Sequence, residues 1–241
     1  SSDLTVQSYG GGVCQVSTTL YNAVLKAELE VTQRSNHSMI VTYVKPSMDA
    51  AIAGDYKDLK FVNNLDAPIY IEGYTVGKDI YFNIYGQETR PSNRKVTYES
   101  EVVSEEDPGT QFVATGDAVG SISTTQGKHM GYVARLWKIV TVDGVEQSRD
   151  AINKSTYKSS PKIVNVGTAS ADPNAVAAVN AALATGDEAT IYATVAQYSG
   201  AGQTPSEAPA EAPADSSAEA AAILGTVDES QITGNTTTEG Q

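Results

Sequence analysis

The sequence has almost no cysteine or histidine, and this scarcity excludes several kinds of site. Its 241 residues include one cysteine, Cys14, and two histidines, His37 and His129. A single cysteine cannot form an intrachain disulfide or contribute to a multi-cysteine metal site. With two histidines, a histidine-rich metal centre is not expected either.

Positive charge is missing from the last third of the chain. All 16 lysines and arginines lie within residues 1–168, whereas residues 169–241 hold 10 acidic residues and no basic one. The whole chain has a formal charge of −13. Because nucleic-acid backbones are bound by clusters of lysine and arginine, this distribution argues against a nucleic acid as partner.

Long apolar runs are absent as well. No run approaches the roughly 18 residues that a membrane-spanning helix needs, so no membrane span is expected in this segment. The sequence begins without an initiator methionine and without the basic, apolar and small-residue regions of a signal peptide. We interpret it as a segment of a longer protein, and the missing signal is therefore no argument for a cytoplasmic location.

Three glycines at positions 10–12 introduce the first predicted element. Behind them, apolar residues recur at the three- and four-residue spacing of one helix face, at Val13, Val16, Leu20, Val24 and Ala27. The pattern predicts a helix that ends near residues 28–30. Its polar face carries Gln15, Ser17, Thr18, Asn22 and Lys26.

Strand patterns follow the helix. Residues 37–44 are rich in β-branched side chains and stop at Lys45 and Pro46, which predicts a strand with His37 and Tyr43 on one face. Residues 69–75 and 79–85 predict a hairpin. We therefore expect residues 1–87 to form one helix packed on a mostly antiparallel sheet.

A polar segment that contains Pro91 is expected to separate this block from a second one. Residues 94–168 hold alternating, strand-like stretches and the hairpin dipeptide Asp143-Gly144, without helical periodicity. This predicts a small, elongated all-β module with few contacts to the first block. The predicted fold class is therefore α+β.

The composition changes again after residue 168. Residues 169–241 are rich in alanine, proline and acidic residues. Asp172 and Pro173 suit the start of a helix near residues 173–184, and Gly186 suits its end. Beyond Ser199 little can be buried, which is typical of disordered chain. We predict a largely disordered tail with one helix.

Cys14 lies where a nucleophile can be activated. Unpaired N–H groups and the positive end of the dipole at a helix start favour a thiolate. The same groups can hold an oxyanion, and glycines let a substrate backbone approach closely. The candidate oxyanion and substrate contacts are Gly11, Gly12, Gln15 and Ser17.

A thiol nucleophile usually needs a base, and His37 is the nearest one in the sequence. Asp49, Asp55 and Asp58 can each orient its ring, and the pattern does not choose among them. His129 lies in a glycine- and lysine-containing stretch that reads as an exposed turn. The competing interpretation is that Cys14 is a small buried residue that only packs.

Separated motifs resemble one known family. The glycines with Val13-Cys14-Gln15 and the helix as far as Leu25, then Asn36-His37-Ser38, the stretch at Asp49 and Tyr56-Lys57-Asp58, are similar to the VanW domain family. The resemblance covers about residues 9–85 and matches the C-terminal part of that domain. The second block resembles the G-five domain, a small extracellular β module, through residues 131–144 around Trp137 and through residues 157–168.

The resemblance implies a role in the cell envelope. VanW-family proteins belong mainly to Gram-positive bacteria, are associated with resistance to glycopeptides such as vancomycin, and include L,D-transpeptidases that form 3–3 peptidoglycan cross-links. It implies Cys14 as nucleophile and His37 as base, and no metal or organic cofactor. Of the three aspartates, we take Asp49 as the candidate orienting residue. The implied partners are peptidoglycan stem peptides and glycan, and the implied location is extracytoplasmic.

Two alternatives stay open. In the first, the chain is a non-catalytic accessory protein of glycopeptide resistance that binds the cell wall, and Cys14 only packs. In the second, the same cysteine and histidine hydrolyse the peptide with water as the acceptor. Exposure of the thiol and its distance from His37 separate catalysis from binding, whereas transfer and hydrolysis differ only in the acceptor.

Overall fold

The computed structural model describes residues 12–199 and confirms the α+β class for them. The predictions for residues 10 and 11 and for the tail beyond residue 199 lie outside this range. The elements, in chain order, are α1 (Val13–Lys26), β1 (Glu30–Gln33), β2 (Lys60–Val62), β3 (Tyr70–Val76), β4 (Asp79–Tyr85), β5 (Arg94–Glu106), β6 (Thr110–Ala118), β7 (Ile122–Gln126), β8 (Gly131–Val142), β9 (Val145–Tyr157), β10 (Lys162–Ala169), α2 (Pro173–Thr185) and α3 (Glu188–Tyr198).

Helix α1 begins where the glycines predict, and three residues of its polar side, Ser17, Thr18 and Asn22, are buried. Ser17 Oγ donates to the carbonyl of Ala50 at 2.5 Å, Thr18 Oγ1 accepts from the N–H of Ala50 at 3.0 Å, and Asn22 Nδ2 donates to Met48 O at 2.9 Å. Residues 48–50 belong to no strand. The side chains of α1 therefore satisfy backbone groups that a sheet would otherwise pair.

The strands of the first block pair in two antiparallel ribbons. Strand β1 pairs with β2, and β3 pairs with β4 in the predicted hairpin. Gly77 occupies the turn between β3 and β4 with a φ of 62°, a backbone conformation that costs glycine little. Strand β4 also packs against α1, which gives the block its helix-on-sheet arrangement.

The predicted strand over residues 37–44 is absent, because tertiary contacts override its composition. The backbone N–H of His37 donates to Oδ2 of Asp49 at 2.7 Å. The carbonyl of Ser38 accepts from the N–H of Lys158, just beyond β9, at 2.7 Å. Backbone groups that a ladder would use are thus bound to a buried side chain and to a neighbouring sheet.

The second block contains two three-stranded sheets and, as predicted, no helix between residues 94 and 168. One sheet is antiparallel, with β8 between β5 and β9. The predicted turn at Asp143 and Gly144 joins β8 to β9, and both residues have positive φ. In the other sheet β10 lies between β6, to which it is parallel, and β7. Strands β6 and β7 were not predicted, since their sequences are largely polar.

The prediction that the two blocks have few contacts is wrong. Leu136 of β8 is fully buried in one apolar cluster with Tyr21 and Leu25 of α1. Tyr98 of β5 adds a 2.6 Å hydrogen bond from its hydroxyl to the carbonyl of Leu25. The polar composition of the connecting segment indicates that the segment itself is solvated. It carries no information about whether the two blocks that it connects pack against each other.

The described chain after residue 169 packs against the sheet formed by β6, β10 and β7. Helix α2 is present near the predicted bounds, with Asp172 capping its start and Gly186 in the left-handed conformation at its end. Helix α3, which was not predicted, follows at once. Apolar residues of both helices pack on β10 in a second core of Val164, Val166, Val179, Ala182, Ile191 and Val195.

Candidate functional site around Cys14, His37 and Asp49

Cys14 is the second residue of α1 and is half-buried. Gly12 stands at the helix cap without a side chain that could bond the first turn. The first four N–H groups of an α-helix have no acceptor within the helix, and the helix dipole is positive there. The thiol itself donates to the carbonyl of Ile52, with 3.6 Å between Sγ and the oxygen.

His37 and Asp49 form a short, directed pair. Nδ1 of the ring lies 2.7 Å from Oδ2 of Asp49, and the same oxygen accepts the backbone N–H of His37 at 2.7 Å. A carboxylate can only accept, so Nδ1 carries a proton and Nε2 of the neutral ring is free to accept one. Of the three aspartates that the sequence offers, the structure brings Asp49 to the histidine.

Asp49 is completely buried and is satisfied by donors from both blocks. Its Oδ1 accepts from Arg34 Nη2 at 2.7 Å and from the hydroxyl of Tyr157 at 2.6 Å. Burial alone would raise the pKa of Asp49, but the hydrogen bonds and charges of His37, Arg34 and Tyr157 lower it below its ordinary value. The carboxylate is therefore ionised at neutral pH and fixed in one orientation.

Among the described residues, Cys14 and His37 form no direct hydrogen bond with each other. Nε2 of His37 lies 3.4 Å from the hydroxyl of Tyr43, and the two rings meet edge to face. Burial raises the pKa of Tyr43, as do the charges of a Cys14 thiolate and of Asp49, so the phenol keeps its proton at neutral pH. The hydroxyl of Tyr43 therefore contacts the imidazole and is close enough to Cys14 to respond to its charge.

The other residues predicted to contact the oxyanion or substrate differ in how exposed they are. Gly12 is at the cap of α1 and leaves open space where a side chain would be, whereas Gly11 lies outside the described residues. Gln15 shares the first turn with Cys14. Ser17 is buried and its hydroxyl is bound to the carbonyl of Ala50, so it holds α1 to the following loop and presents no hydroxyl to a ligand.

Sequence reasoning missed three residues of this site. Tyr43 carried a signal, because it was placed on the same face as His37, although as part of a strand that does not form. Arg34 and Tyr157 carried none, since Asp49, to which both bond, lies 15 and 108 residues away from them in the chain. Within residues 12–199 no group of three histidine, cysteine or acidic side chains is placed to hold a metal ion.

Comparison with known families agrees with this architecture. Residues 1–85 match the family model described as VanW like protein, and residues 93–169 match the G5 domain. The chain joins a VanW region to a G5 domain. In the VanW region lie Cys14, His37 and Asp49, while Tyr157, which bonds to Asp49, belongs to the G5 domain.

Individual relatives match over parts of their length. The uncharacterized protein YoaR of Bacillus subtilis (strain 168) is 38% identical over 82 residues, which cover 34% of this chain and 27% of that protein. The chain thus spans about a quarter of this curated relative.

Two solved G5 domains also match. That of IgA1 protease has 26% identity and a TM-score of 0.24, covering 32% of this chain and 94% of that one. HP0197-G5 has 20% identity and a TM-score of 0.17, covering 30% of this chain and 99% of that one. TM-scores this low carry no weight for the arrangement of the whole chain.

The two matched families define the setting of the protein. VanW and G5 domains are cell-wall-associated, so the chain is a cell-wall-associated protein with an extracytoplasmic location. None of the helices between residues 12 and 199 is long and apolar enough to cross a membrane.

Proposed function

We propose that this protein carries out cysteine-based acyl transfer on peptidoglycan stem peptides as an L,D-transpeptidase. One observation carries the proposal: a buried Asp49 orients His37, and the segment that follows Asp49 accepts hydrogen bonds from Cys14 and Ser17 in the first turns of α1. An oriented imidazole, a thiol and first-turn N–H groups are the parts that acyl transfer to a thiol requires.

In the proposed acylation step, each residue of the site has a separate role. Asp49 holds the proton on Nδ1 of His37 and stabilises the imidazolium that forms when Nε2 takes a second proton. The hydroxyl of Tyr43 passes the thiol proton to Nε2. The thiolate of Cys14 then attacks the carbonyl between the L-centre of the third stem residue and D-Ala, while first-turn N–H groups bind the oxyanion.

The remaining steps return the enzyme to its starting state. The imidazolium gives its proton to the leaving amine, so that D-Ala departs and a thioester remains on Cys14. The side-chain amine of a neighbouring stem attacks this thioester, loses a proton to His37 and regenerates the thiol. The product is a 3–3 cross-link, and water in place of the amine would give hydrolysis.

A second candidate is a non-catalytic protein that binds cell-wall glycan or peptide and assists glycopeptide resistance. Two contacts favour it: the thiol of Cys14 donates to Ile52 O, and the hydroxyl of Tyr43 contacts Nε2 of His37. In a cysteine enzyme at rest, the thiol and Nε2 would be expected to contact each other. The family matches support this candidate more directly than catalysis, because they establish association with the wall and assign no reaction.

The test is to incubate the purified protein with a disaccharide-tetrapeptide and to follow products and protein mass. We expect a thioester adduct on the protein, release of D-Ala and formation of cross-linked dimers. Cys14→Ala should abolish all three, and His37→Ala should slow acylation by about 10²- to 10⁴-fold. His129→Ala is the matched control, because it removes the other, exposed histidine and should leave the rate unchanged.

The opposite result selects the second candidate. If Cys14→Ala retains both cross-linking and peptide binding, the cysteine is not a nucleophile. If no adduct forms but the protein still sediments with purified peptidoglycan, the wall-binding function stands in place of catalysis.

A further inference from the structure

A pocket of about 360 Å³ lies beside His37, where the VanW region meets the G5 domain. The VanW region contributes residues 34–38 and Lys57, and the G5 domain contributes Thr156 and Lys158. We call it the interdomain pocket. The catalytic scheme above uses His37 from its lining and leaves both lysines without a role.

Two hydrogen bonds, one from a side chain and one from the backbone, fix the walls of this pocket relative to each other. Asn36 Nδ2 donates to the carbonyl of Thr156 at 2.8 Å, and the N–H of Lys158 donates to the carbonyl of Ser38 at 2.7 Å. The chain segments that carry His37 and Lys158 are thereby held side by side. A ligand in the pocket would touch both domains without any rearrangement of these segments.

Neither lysine of the pocket forms an ion pair with a carboxylate of residues 12–199. Lys57 Nζ donates to the carbonyl of Asn36 at 2.8 Å and to Ser38 Oγ at 3.2 Å, which are neutral acceptors. Lys158 forms no ion pair with a carboxylate of residues 12–199. Neither ammonium group is thus bonded to a described carboxylate, although the chain has 29 acidic and only 16 basic residues.

The two lysines of the pocket act on each other electrostatically. Burial lowers the pKa of Lys57, the negative charges of Asp49 and of a Cys14 thiolate raise it, and the positive charges of Lys158 and Arg34 lower it. Arg34 is already paired with Asp49. A negative group placed between the two lysines would offset their repulsion and would gain charge-assisted hydrogen bonds.

The geometry points to a site for a peptide carboxylate in the interdomain pocket, bound jointly by Lys57 and Lys158. Stem peptides carry free carboxylates, and a carboxylate held here lies next to the residue that we assign as the base. The choice of a peptide rests on the proposed function, whereas the anion site rests on the pocket. The overall negative charge of the chain disfavours a polyanion as the occupant.

Binding can be measured without any turnover. The 241-residue protein with Cys14→Ala would be titrated by NMR with N-acetyl-L-lysyl-D-alanine and with the same dipeptide as its C-terminal amide. We expect the acid to bind at least about 10-fold more tightly than the amide, since one charge-assisted contact is worth roughly that factor. The affinity for the acid should fall as salt is raised.

Variants locate the site. Lys57→Ala and Lys158→Ala should each weaken binding of the acid by about 10-fold and leave binding of the amide unchanged, while Lys158→Arg should retain it. Lys154→Ala is the matched control, because it removes the same charge from β9 but does not line the pocket. Inorganic phosphate should compete less well than the dipeptide acid.

Three results would overturn the proposal: equal binding of acid and amide, no binding of either, or equal effects of Lys158→Ala and Lys154→Ala. Tighter binding of inorganic phosphate than of the dipeptide acid would assign the pocket to phosphate instead. Loss of transpeptidase activity has no influence on these readings, because the titration uses a protein without the thiol.

Discussion

The hydroxyl of Tyr157 donates a 2.6 Å hydrogen bond to Oδ1 of Asp49, although 108 residues separate them in the chain. Tyr157 ends strand β9 of the G5 domain, and Asp49 is the buried carboxylate that orients His37 in the VanW region. The same phenol accepts the N–H of Ser47 at 2.7 Å. The G5 domain therefore supports the candidate site directly.

Removal of this hydroxyl should loosen both domains together. Tyr157→Phe leaves the N–H of Ser47 without its acceptor and Asp49 with one donor fewer, so the free energy of unfolding should fall by about 1–3 kcal/mol. Urea denaturation followed by circular dichroism measures this. Tyr132→Phe is the control, because Tyr132 faces Tyr157 across the β8–β9 ladder and its hydroxyl bonds to no described residue. Similar losses in both variants would contradict the prediction.

Neutralising Asp49 should cost more. Asp49→Asn leaves the guanidinium of Arg34, which is 7% exposed, without its counter-ion in a buried position. Removal of one partner of a buried ion pair costs about 3–5 kcal/mol, and we expect a loss of that size in denaturant unfolding. Asp55→Asn, at an exposed position that the sequence made an equal candidate, should change stability by less than about 0.5 kcal/mol. Equal losses of stability in the Asp49→Asn and Asp55→Asn variants would contradict the assignment of Asp49 as the buried counter-ion of Arg34.

Local sequence predicted α1, the β3–β4 hairpin and the Asp143-Gly144 turn, because each is decided by neighbours along the chain. Residues 37–44 have strand composition, yet their backbone groups are bound by Asp49 and by the N–H of Lys158. The burial of polar residues on α1 has the same cause, since Ser17 and Asn22 bond to a loop about 30 residues away. Contacts of this kind leave no periodic signal.

In the candidate site too, some residues are predictable from local sequence and others are not. The position of Cys14 at a helix start follows from the glycines before it, and His37 follows as the nearest imidazole. The choice of Asp49 among three aspartates, and the roles of Tyr43 and Tyr157, depend on how the irregular segment between β1 and β2 packs against β9. Only the folded arrangement supplies that information.

Glu28 should make stability depend on acid pH. Hydrogen bonds from Arg94 lower its pKa from 4.5 to about 2. Burial opposes this shift, whereas hydrogen bonds from Lys138 and Arg90 add to it. A folded-state pKa below the unfolded one adds stability above the unfolded pKa, and this stability is lost as the pH falls through the folded pKa. The contribution of Glu28 should therefore be complete above about pH 5 and disappear towards pH 2.

The comparison of wild type with Glu28→Gln isolates this contribution. The difference in unfolding free energy should be about 1–2 kcal/mol at pH 7, since its partners are partly exposed and screened, and should shrink between about pH 5 and pH 2. Glu30→Gln removes the same charge from an exposed residue with no ion pair among the described residues, and its difference should stay below about 0.5 kcal/mol throughout. A Glu28 difference that does not vary with pH would contradict the assignment.

The proposed acyl transfer passes the thiol proton of Cys14 to His37 through the hydroxyl of Tyr43. Its hydroxyl lies 3.4 Å from Nε2 of His37, and its raised pKa keeps it protonated at neutral pH. If the phenol relays the thiol proton, Tyr43→Phe should slow alkylation of Cys14 by iodoacetamide by about 10- to 100-fold at pH 7. At pH 10 the rate should be unchanged, because hydroxide then removes the thiol proton without help.

Tyr56→Phe is the control for this experiment, because Tyr56 is a 74% exposed tyrosine of the same region and should leave both rates unchanged. Faster alkylation of Tyr43→Phe at pH 7 would contradict the relay. It would mean that the phenol competes with the thiol for Nε2 of His37, so that its removal lets the base reach Cys14 directly. The imidazole would then act on the sulfur without an intermediary, and Tyr43 would restrain the thiol in the resting protein.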